Sequence, residues 1–490
     1  MSARRFTLVP QLETYPTIVR LAQTVPGKLA ILAALALGLW LHHRPWWAEM
    51  TAILAAVTFL PAHRRWVIAI ATMYWLFRHT TFPWEMARMF SVRNGVATQI
   101  DWRLLRPAAI LSALGFCVAF NVALKRTPRP AILRRPILLL LTFFLTLAVI
   151  ATGTSLDPIA RVLIFAFLVV LGRYLWFLAY SALYPEPTRS SLLVVGQYLP
   201  FWFGSNVTAN PIPKGGGYLD KIEAKTPEEL AICQLKAVKL LVWAGLLVML
   251  HKLIKDLSDG KANGPLSRLG ISFDLDLPIA PAILRDSAAG IAHPLVTTWL
   301  SLVADFADDM LVLAIWGHVL VACARASGFR ALRNTWRPLE SATIADFWNR
   351  YFYYFKEVLV DVFFYPTYFR YFKAHPRLRR FAATLAAATF GNFLFHYLRD
   401  LEHMAHLGPW KALLSMHAYM AYCLVLGIAI GVSQLRKRPN LAAEHWIRRR
   451  VWRPALVLGF FCLLKVLEIP GPGSLSDRLR FLVSLTGLHA

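Results

Sequence analysis

The stretch IARVLIFAFLVVLGRYLWFLAYSAL, residues 159–183, decides what kind of fold this chain adopts. It is an almost unbroken apolar run, longer than the about 20 residues that a helix needs to cross a bilayer. Working outward, comparable runs recur at Lys28–His42, Trp46–Leu60, Arg65–Phe77, Pro107–Leu124 and Pro136–Thr152. They continue at Leu230–His251, Leu295–Cys323, Phe381–His396, Leu413–Val432 and Trp452–Ile469. The composition agrees: 57% of the 490 residues are hydrophobic and 16% charged, with a mean hydropathy of +0.49. Soluble domains are usually about 45–50% apolar and about 25% charged. The chain therefore reads as an all-α polytopic membrane protein with about 10–11 transmembrane helices. The shorter runs read as tilted, re-entrant or paired inside the bundle.

A formal charge of +26 raises the question of nucleic acid. The cations, however, are clustered between apolar runs: KRTPRPAILRRP (125–136), HPRLRR (375–380) and QLRKRPNLAAEHWIRRRVWRP (434–454). A nucleic-acid interface needs a soluble basic domain, and the sequence has none. The clusters follow the positive-inside rule and make anionic lipid the expected partner. They also orient the chain: 375–380 and 436–453 are expected to be cytoplasmic, so the helix from Phe381 runs outward. His396 then lies about 24 Å along from Arg380.

Cys117, Cys233, Cys323, Cys423 and Cys462 stand singly in or beside apolar runs, with neither metal-ligand spacing nor a disulfide framework. They read as small packing residues. The N-terminus has no signal-peptide cleavage pattern, and the first span is expected to act as its own insertion signal. The chain reads as one membrane domain, 1–490. Its parts are an N-terminal helical scaffold (1–205), loops with a connecting helix (206–300) and a core (301–470).

Between scaffold and core, residues 204–230 are rich in Gly and Pro. Thr226, Pro227 and Glu229 form a helix start, with N-cap, first-position proline and capping box. Three glycines after Lys214 lack the following Gly-Lys-Ser/Thr of a phosphate cradle and read as flexible loop. Asn206-Val-Thr208 fits a glycosylation acceptor. Residues 261–292 are the longest weakly hydrophobic piece.

Three constellations carry chemistry-bearing side chains. In ATFGNFLFHYLRDLEHMAH (388–406), Asn392, His396, Asp400 and His403 are spaced four, four and three apart, so on a helix they share one stripe. A neutral imidazole in low-dielectric surroundings is a competent general base. Asn392 could orient the ring or donate to an oxyanion, and Asp400 could hold the other ring nitrogen. The structural alternative is a buried histidine bonded to a neighbouring helix. A metal reading would use His396, Asp400, His403 and His406, with His417 the nearest further ligand, but no second-helix motif completes it, and no metal is expected.

The second constellation, VADFADDMLVLAIWGH (303–318), places Asp305, Asp308 and Asp309 within an apolar run. Carboxylates there require a wet cavity, a polar funnel or a cationic partner. The third is the aromatic-rich segment Gly328–Phe372. There Asp346 and Arg350 are four apart and can pair, and the aromatics with Lys356, Arg370 and Lys373 suit a helix at the membrane boundary. A boundary belt leaves Arg350, Glu357 and Asp361 unexplained.

At this third segment the chain resembles the membrane-bound O-acyltransferase family, especially its bacterial members. Gly328, Phe329, Asn334, Arg337, Pro338, Ile344, Asp346, Phe347, Trp348, Arg350, Asp361 and Pro366 fit that family's recurring pattern without a gap. The family's deep histidine, usually in Trp-His-Gly, has its counterpart in His396 of Phe-His-Tyr. The resemblance implies a helical bundle around a central funnel, in a bacterial inner membrane. It further implies that His396 is the base for acyl transfer from an acyl-CoA or acyl-carrier thioester to a hydroxyl of a polysaccharide, lipid or secondary metabolite. No bound cofactor is implied. Asn392, Asp400, Asn349, Arg350, Trp348 and Asp361 become the supporting or substrate-binding residues, and acyl carrier protein or polysaccharide-export proteins the partners.

The chain departs from the pattern twice. Tyr351-Phe352 stands where the family has Trp-His or Trp-Asn, so a second polar partner is missing and Asn349 is offset from its place. Tyr397 replaces the glycine after the deep histidine and would narrow the tunnel mouth. These departures keep two rivals in view: a catalytically silent relative that transports or scaffolds in polymer export, and a metal-dependent oxidoreductase built on the His/Asp stripe.

Overall fold

The apolar runs fold as helices because a bilayer offers the backbone no water, and a helix satisfies its own N–H and C=O groups. The computed structural model describes residues 8–42, 45–79, 82–126, 131–184, 193, 215–259, 268–271, 275–436, 443–469 and 474–487. Asn206-Val-Thr208, Lys214 and most of 261–274 lie outside the described residues. Among those described there is no β-strand, and an isolated antiparallel bridge joins Glu223 to Phe329.

The chain begins with two bent helix pairs. Helix α1 (Pro16–Gln23) meets α2 (Val25–Leu41) at 95°, and α3 (Trp47–Phe59) meets the Pro61–Arg78 arm, mainly α4 (Arg64–Arg78), at 108°. Each bend has a local cause. Thr24 caps α2 by accepting from Gly27 N at 3.2 Å, and Pro61 opens a 3-10 turn before α4. The runs Trp46–Leu60 and Arg65–Phe77 are therefore two arms of a broken span or re-entrant loop.

Helices α5 (Trp84–Arg93), α6 (Trp102–Lys125), α7 (Pro136–Thr152) and α8 (Pro158–Leu183) follow. Asp157 starts α8 by accepting from Ile159 N at 2.8 Å, with Pro158 at the first helical position. Next come α9 (Gly215–Ile222) and α10 (Pro227–Asp259). The three glycines expected in a loop thus open the short helix α9. At α10 the expected cap forms, with Glu229 N donating to Thr226 Oγ1 at 3.1 Å. The Glu229 carboxylate accepts from Lys225 N, one residue before the cap, at 2.6 Å.

Helices α11 (Ala280–Ala288) and α12 (Leu295–Ala326) lead into the aromatic segment, which forms α13 (Ile344–Tyr351), α14 (Tyr353–Leu359) and α15 (Tyr365–Arg370). A composite helix follows: α16 (Pro376–Leu385), a π segment (Ala386–Gly391) and α17 (Asn392–Arg399). The chain ends in α18 (Leu401–Ser415), α19 (His417–Leu435), α20 (Arg453–Lys465) and α21 (Leu475–Ser484).

Among the described residues six helices can cross a membrane by length and composition: α6, α8, α10, α12, the composite helix 376–399 and α19. Counting each bent pair as one span makes up to eight. That is fewer than the ten or eleven expected, because consecutive runs pair across bends and α7 and α20 are short, at 17 and 13 residues.

Two large apolar clusters hold the bundle. One joins α5–α8 to α13, α14, the π segment Ala386–Gly391 and α17–α20 through Phe144, Phe165, Trp176, Phe347, Phe355 and Phe395. The other joins α1–α4 to α10 and the C-terminal end of α12. Segments far apart in sequence interleave in both. Between lipid-embedded helices the hydrophobic effect contributes little, and close packing of small residues takes its place. On α19, a Cβ on Gly431 would come within 2.6 Å of Phe381, and one on Gly427 would run into Thr389 Oγ1. These glycines let α19 lie against the composite helix. Thr384 Oγ1 donates to Gln434 Oε1 at 2.8 Å, so the basic ends of both helices are on one side.

Candidate functional site

Two helices carry a π segment where they cross. Val360–Phe364 follows α14, and Ala386–Gly391 precedes α17. Such segments interrupt the helical ladder and are frequent at functional sites. The two pack together, and a Cβ on Gly391 would come within 2.5 Å of the Phe363 ring.

Asn392 and His396 follow directly on α17. Asn392 is 1% exposed, and among the described residues neither Oδ1 nor Nδ2 has a hydrogen-bond partner. The His396 ring stands among Phe355, Phe395 and Tyr419, with centroid separations of 5.9, 5.5 and 4.7 Å. Among the described residues no hydrogen bond engages its ring nitrogens, so the inter-helix bond of a structural histidine is not made.

His396 lies deep in the bundle and yet is only half-buried. A deep residue that keeps accessible surface borders a hollow. Its surroundings share this property: Tyr419 is deep but half-buried, and Arg399 and Glu468 are deep but exposed. The Asp309 side chain is 66% exposed. Contacts tie these groups together. Lys465 pairs with Asp309 at 2.7 Å and with Asp305, and donates to Asp305 O at 2.8 Å. Tyr351 Oη donates to Asp309 O at 3.2 Å. Arg399 is within electrostatic reach of Tyr419 and Glu468. Together they form a polar hollow at the ends of α17 and α20 that are remote from the basic clusters.

This explains the three carboxylates of α12. Asp305 and Asp309 are held by Lys465 of α20, while Asp308 accepts from His251 at 2.6 Å and pairs with Lys255 at 3.4 Å, both on α10. The partners are lysine and histidine from distant helices. Sequence reasoning missed Lys465 and Glu468, although both interrupt the last apolar run, FFCLLKVLEIP (460–470).

The expected stripe holds for Asn392 and His396 and then ends. Asp400 terminates α17 with φ −88° and ψ 58°, and its carboxylate accepts from Arg399 Nε at 2.9 Å rather than from the imidazole. His403 and His406 are exposed on α18, and His417 Nδ1 bonds to Leu414 O at 3.1 Å. Among the described residues no three His, Cys, Asp or Glu side chains converge to hold a metal.

The remaining candidates lie toward the basic side. A cavity of about 160 Å³ is lined by Trp348, Asn349, Lys356, Thr384, Ala388 and Gln434. Ala388 is eight residues before His396, about 12 Å along the composite helix. Arg350 is absent from this lining and makes the expected pair with Asp346 at 2.9 Å. Asp361 is buried in the first π segment, within electrostatic reach of Tyr180 on α8. The aromatic segment is not a boundary belt: Phe347, Trp348, Tyr351, Tyr354 and Phe355 are core residues. Tyr397 is also buried, and its phenol donates to Pro409 O at 2.8 Å beside the Gly408 kink of α18.

The other motif residues build the frame. Ala224 N donates to Gly328 O at 2.8 Å and Arg330 N to Ile222 O at 2.6 Å, which clips the Gly-Phe segment to the residues before α10. Asn334 caps the start of α14, with Oδ1 accepting from Tyr354 N at 3.2 Å.

Fold and site together define a multi-pass, all-α integral membrane protein with a deep histidine beside a polar hollow. Compared with models of known protein families and with curated proteins, the chain matches none.

Proposed function

We propose that the protein is a membrane-embedded O-acyltransferase that moves an acyl group from a thioester donor to a hydroxyl acceptor. The observation that carries this reading is His396, a deep imidazole whose nitrogens are both unengaged among the described residues, bordering a polar hollow. In the reaction His396 takes the proton of the acceptor hydroxyl as that oxygen attacks the thioester carbonyl. The C–S bond then breaks, and the imidazolium returns the proton to the departing thiolate. Asn392 Nδ2 has no partner of its own and lies one turn away, where it can donate to the oxyanion. Such a donor is worth about 3–4 kcal/mol elsewhere.

The donor, an acyl-CoA or acyl-carrier thioester, approaches from the basic side, through the cavity beside Trp348 and Asn349, where Lys356, paired with Glu357 at 2.6 Å, is the lining cation that faces its phosphates. Arg350, engaged by Asp346, shapes the rim. The acceptor, a hydroxyl of a polysaccharide, lipid or secondary metabolite, enters through the polar hollow. On this reading, which the resemblance to bacterial acyltransferases supports, the protein works in an inner membrane with acyl carrier or polysaccharide-export proteins as partners.

One observation favours a second reading. Phe352, where the family carries a polar residue, packs edge-on or tilted against the rings of Trp348, Tyr351 and Phe355. With no second polar group there, the protein would be a catalytically silent relative serving polymer export.

The test is release of free CoA from acyl-CoA by purified protein in detergent, for wild type and His396→Ala. A general base contributes about 10²–10⁴-fold, so the variant should lose at least about 100-fold with an unchanged unfolding temperature. Equal rates in the two proteins would end the proposal, and no turnover by either would favour the silent relative.

A further inference from the structure

A second enclosed site lies far from His396, at the bend between α3 and α4. It is a cavity of about 250 Å³, lined by Lys28, Arg64, Lys225, Thr226, Pro227 and Gln234 among others. Its chemistry is cationic. Arg64 is 3% exposed, and among the described residues its Nε–H has no acceptor. Lys28 Nζ lies 5.5 Å over the Phe59 ring and has no carboxylate partner among the described residues. The wall at Thr226 and Pro227 is the N-terminus of α10, a 33-residue helix whose dipole favours an anion there.

The nearby carboxylates, including Glu228 and Glu229 in the first turn of α10, leave this set one net positive charge: Lys28, Arg64, Arg65, Lys225 and Arg330 stand against Asp220, Glu223, Glu228 and Glu229. Glu223 is shared by Arg64 at 3.6 Å, Arg65 at 2.7 Å and Lys225 at 3.4 Å. Asp220 is taken by Arg65. Glu229 is held by Arg330 at 2.9 Å and by Lys225 N at 2.6 Å.

The position narrows the ligand. Gln234 Nε2 donates to Ala326 O at 3.2 Å, so the cavity sits at the C-terminal end of α12. The chain continues from there into α13, where Ala345 N reaches Ser433 Oγ at 3.5 Å, close to the basic run 436–453. The cavity is therefore on the same side as the basic run, the side on which the positive-inside rule puts anionic lipid.

We infer that this cavity binds a phosphate-bearing anion, held by Arg64, Lys28, Lys225 and the N-terminus of α10. The inference is independent of the acyltransferase reading. The phosphate can belong to an anionic phospholipid headgroup or to a soluble phosphate, and the test separates them.

Full-length protein in detergent is titrated with phosphatidylglycerol, followed by native mass spectrometry, and separately with inorganic phosphate, followed by calorimetry. Wild type is compared with the Lys28→Gln/Lys225→Gln double variant. Arg64 is left intact because its buried contacts to Glu223 and Ala224 O support the fold. Saturable binding of phosphatidylglycerol alone assigns a lipid site, and saturable binding of inorganic phosphate assigns a soluble ligand. In either case the double variant should bind about tenfold or more weakly at an unchanged unfolding temperature, the loss of one or more charge-assisted hydrogen bonds. Absence of saturable binding by both probes, or equal binding by the double variant, would overturn the inference.

Discussion

Gly328 shows how a single residue can be fixed by backbone and neighbour at once. It has φ +90°, and a Cβ there would come within 2.7 Å of the Arg64 guanidinium carbon. Gly328→Ala should therefore cost at least about 1 kcal/mol, read as a lower unfolding temperature in detergent. At this scale the sequence was informative where spacing alone decides. Asn392 and His396, four apart within a continuous helix, share a face as read. Asp400 does not, because periodicity says nothing of where a helix stops, and Arg399 holds its carboxylate at the stop. Lys465 and Glu468 were legible only as interruptions of an apolar run. Their meaning comes from carboxylates more than 150 positions away in the chain.

Between elements, the Asp305–Lys465–Asp309 cluster joins α12 to α20. The Lys465 side chain is 9% exposed, so Lys465→Met leaves Asp305 without its cation in a poorly hydrated place. Breaking a buried pair from one side costs about 3–5 kcal/mol, and partial exposure of both aspartates puts this case at or below the lower end. Adding Asp305→Asn to Lys465→Met should recover part of the loss in unfolding temperature. A double variant less stable than the single one would contradict this pairing. The helix start at Thr226-Pro227 was readable, since a cap residue followed by a first-position proline is a local signal. The π segments were not, because one extra residue in a turn leaves no mark on the apolar pattern. The bends at Thr24 and Pro61 likewise turned expected spans into arms of bent pairs.

Across the whole molecule, the all-α membrane fold was legible from composition and run length, because a bilayer restricts the alternatives so severely. How the halves interlock was not, since clusters such as the Glu223 clip join residues 64 and 65 to 220–225 and 328–330. This clip gives stability a pH dependence. Burial alone would raise the Glu223 pKa, but the hydrogen bond from Arg65 and the charges of Arg65, Arg64 and Lys225 outweigh it and hold it below the ordinary 4.5. A lowered folded-state pKa contributes stability above the ordinary carboxylate range, lost as pH falls through the folded value. Unfolding temperature should accordingly drop on acidification below that range, and Glu223→Gln should flatten the acid limb. An identical acid limb in the variant would show that Glu223 is not its source.

Beneath the functional reading lies one structural statement: the His396 imidazole is unengaged and reachable through the polar hollow. Diethylpyrocarbonate, which acylates accessible neutral imidazoles, tests it most directly when followed by peptide mass spectrometry of the folded protein in detergent. His396 should be modified, along with exposed His403 and His406, while His318, 8% exposed and bonded to Ala314 O at 2.6 Å, stays protected. Full modification of His403 and His406 with His396 untouched would contradict the account.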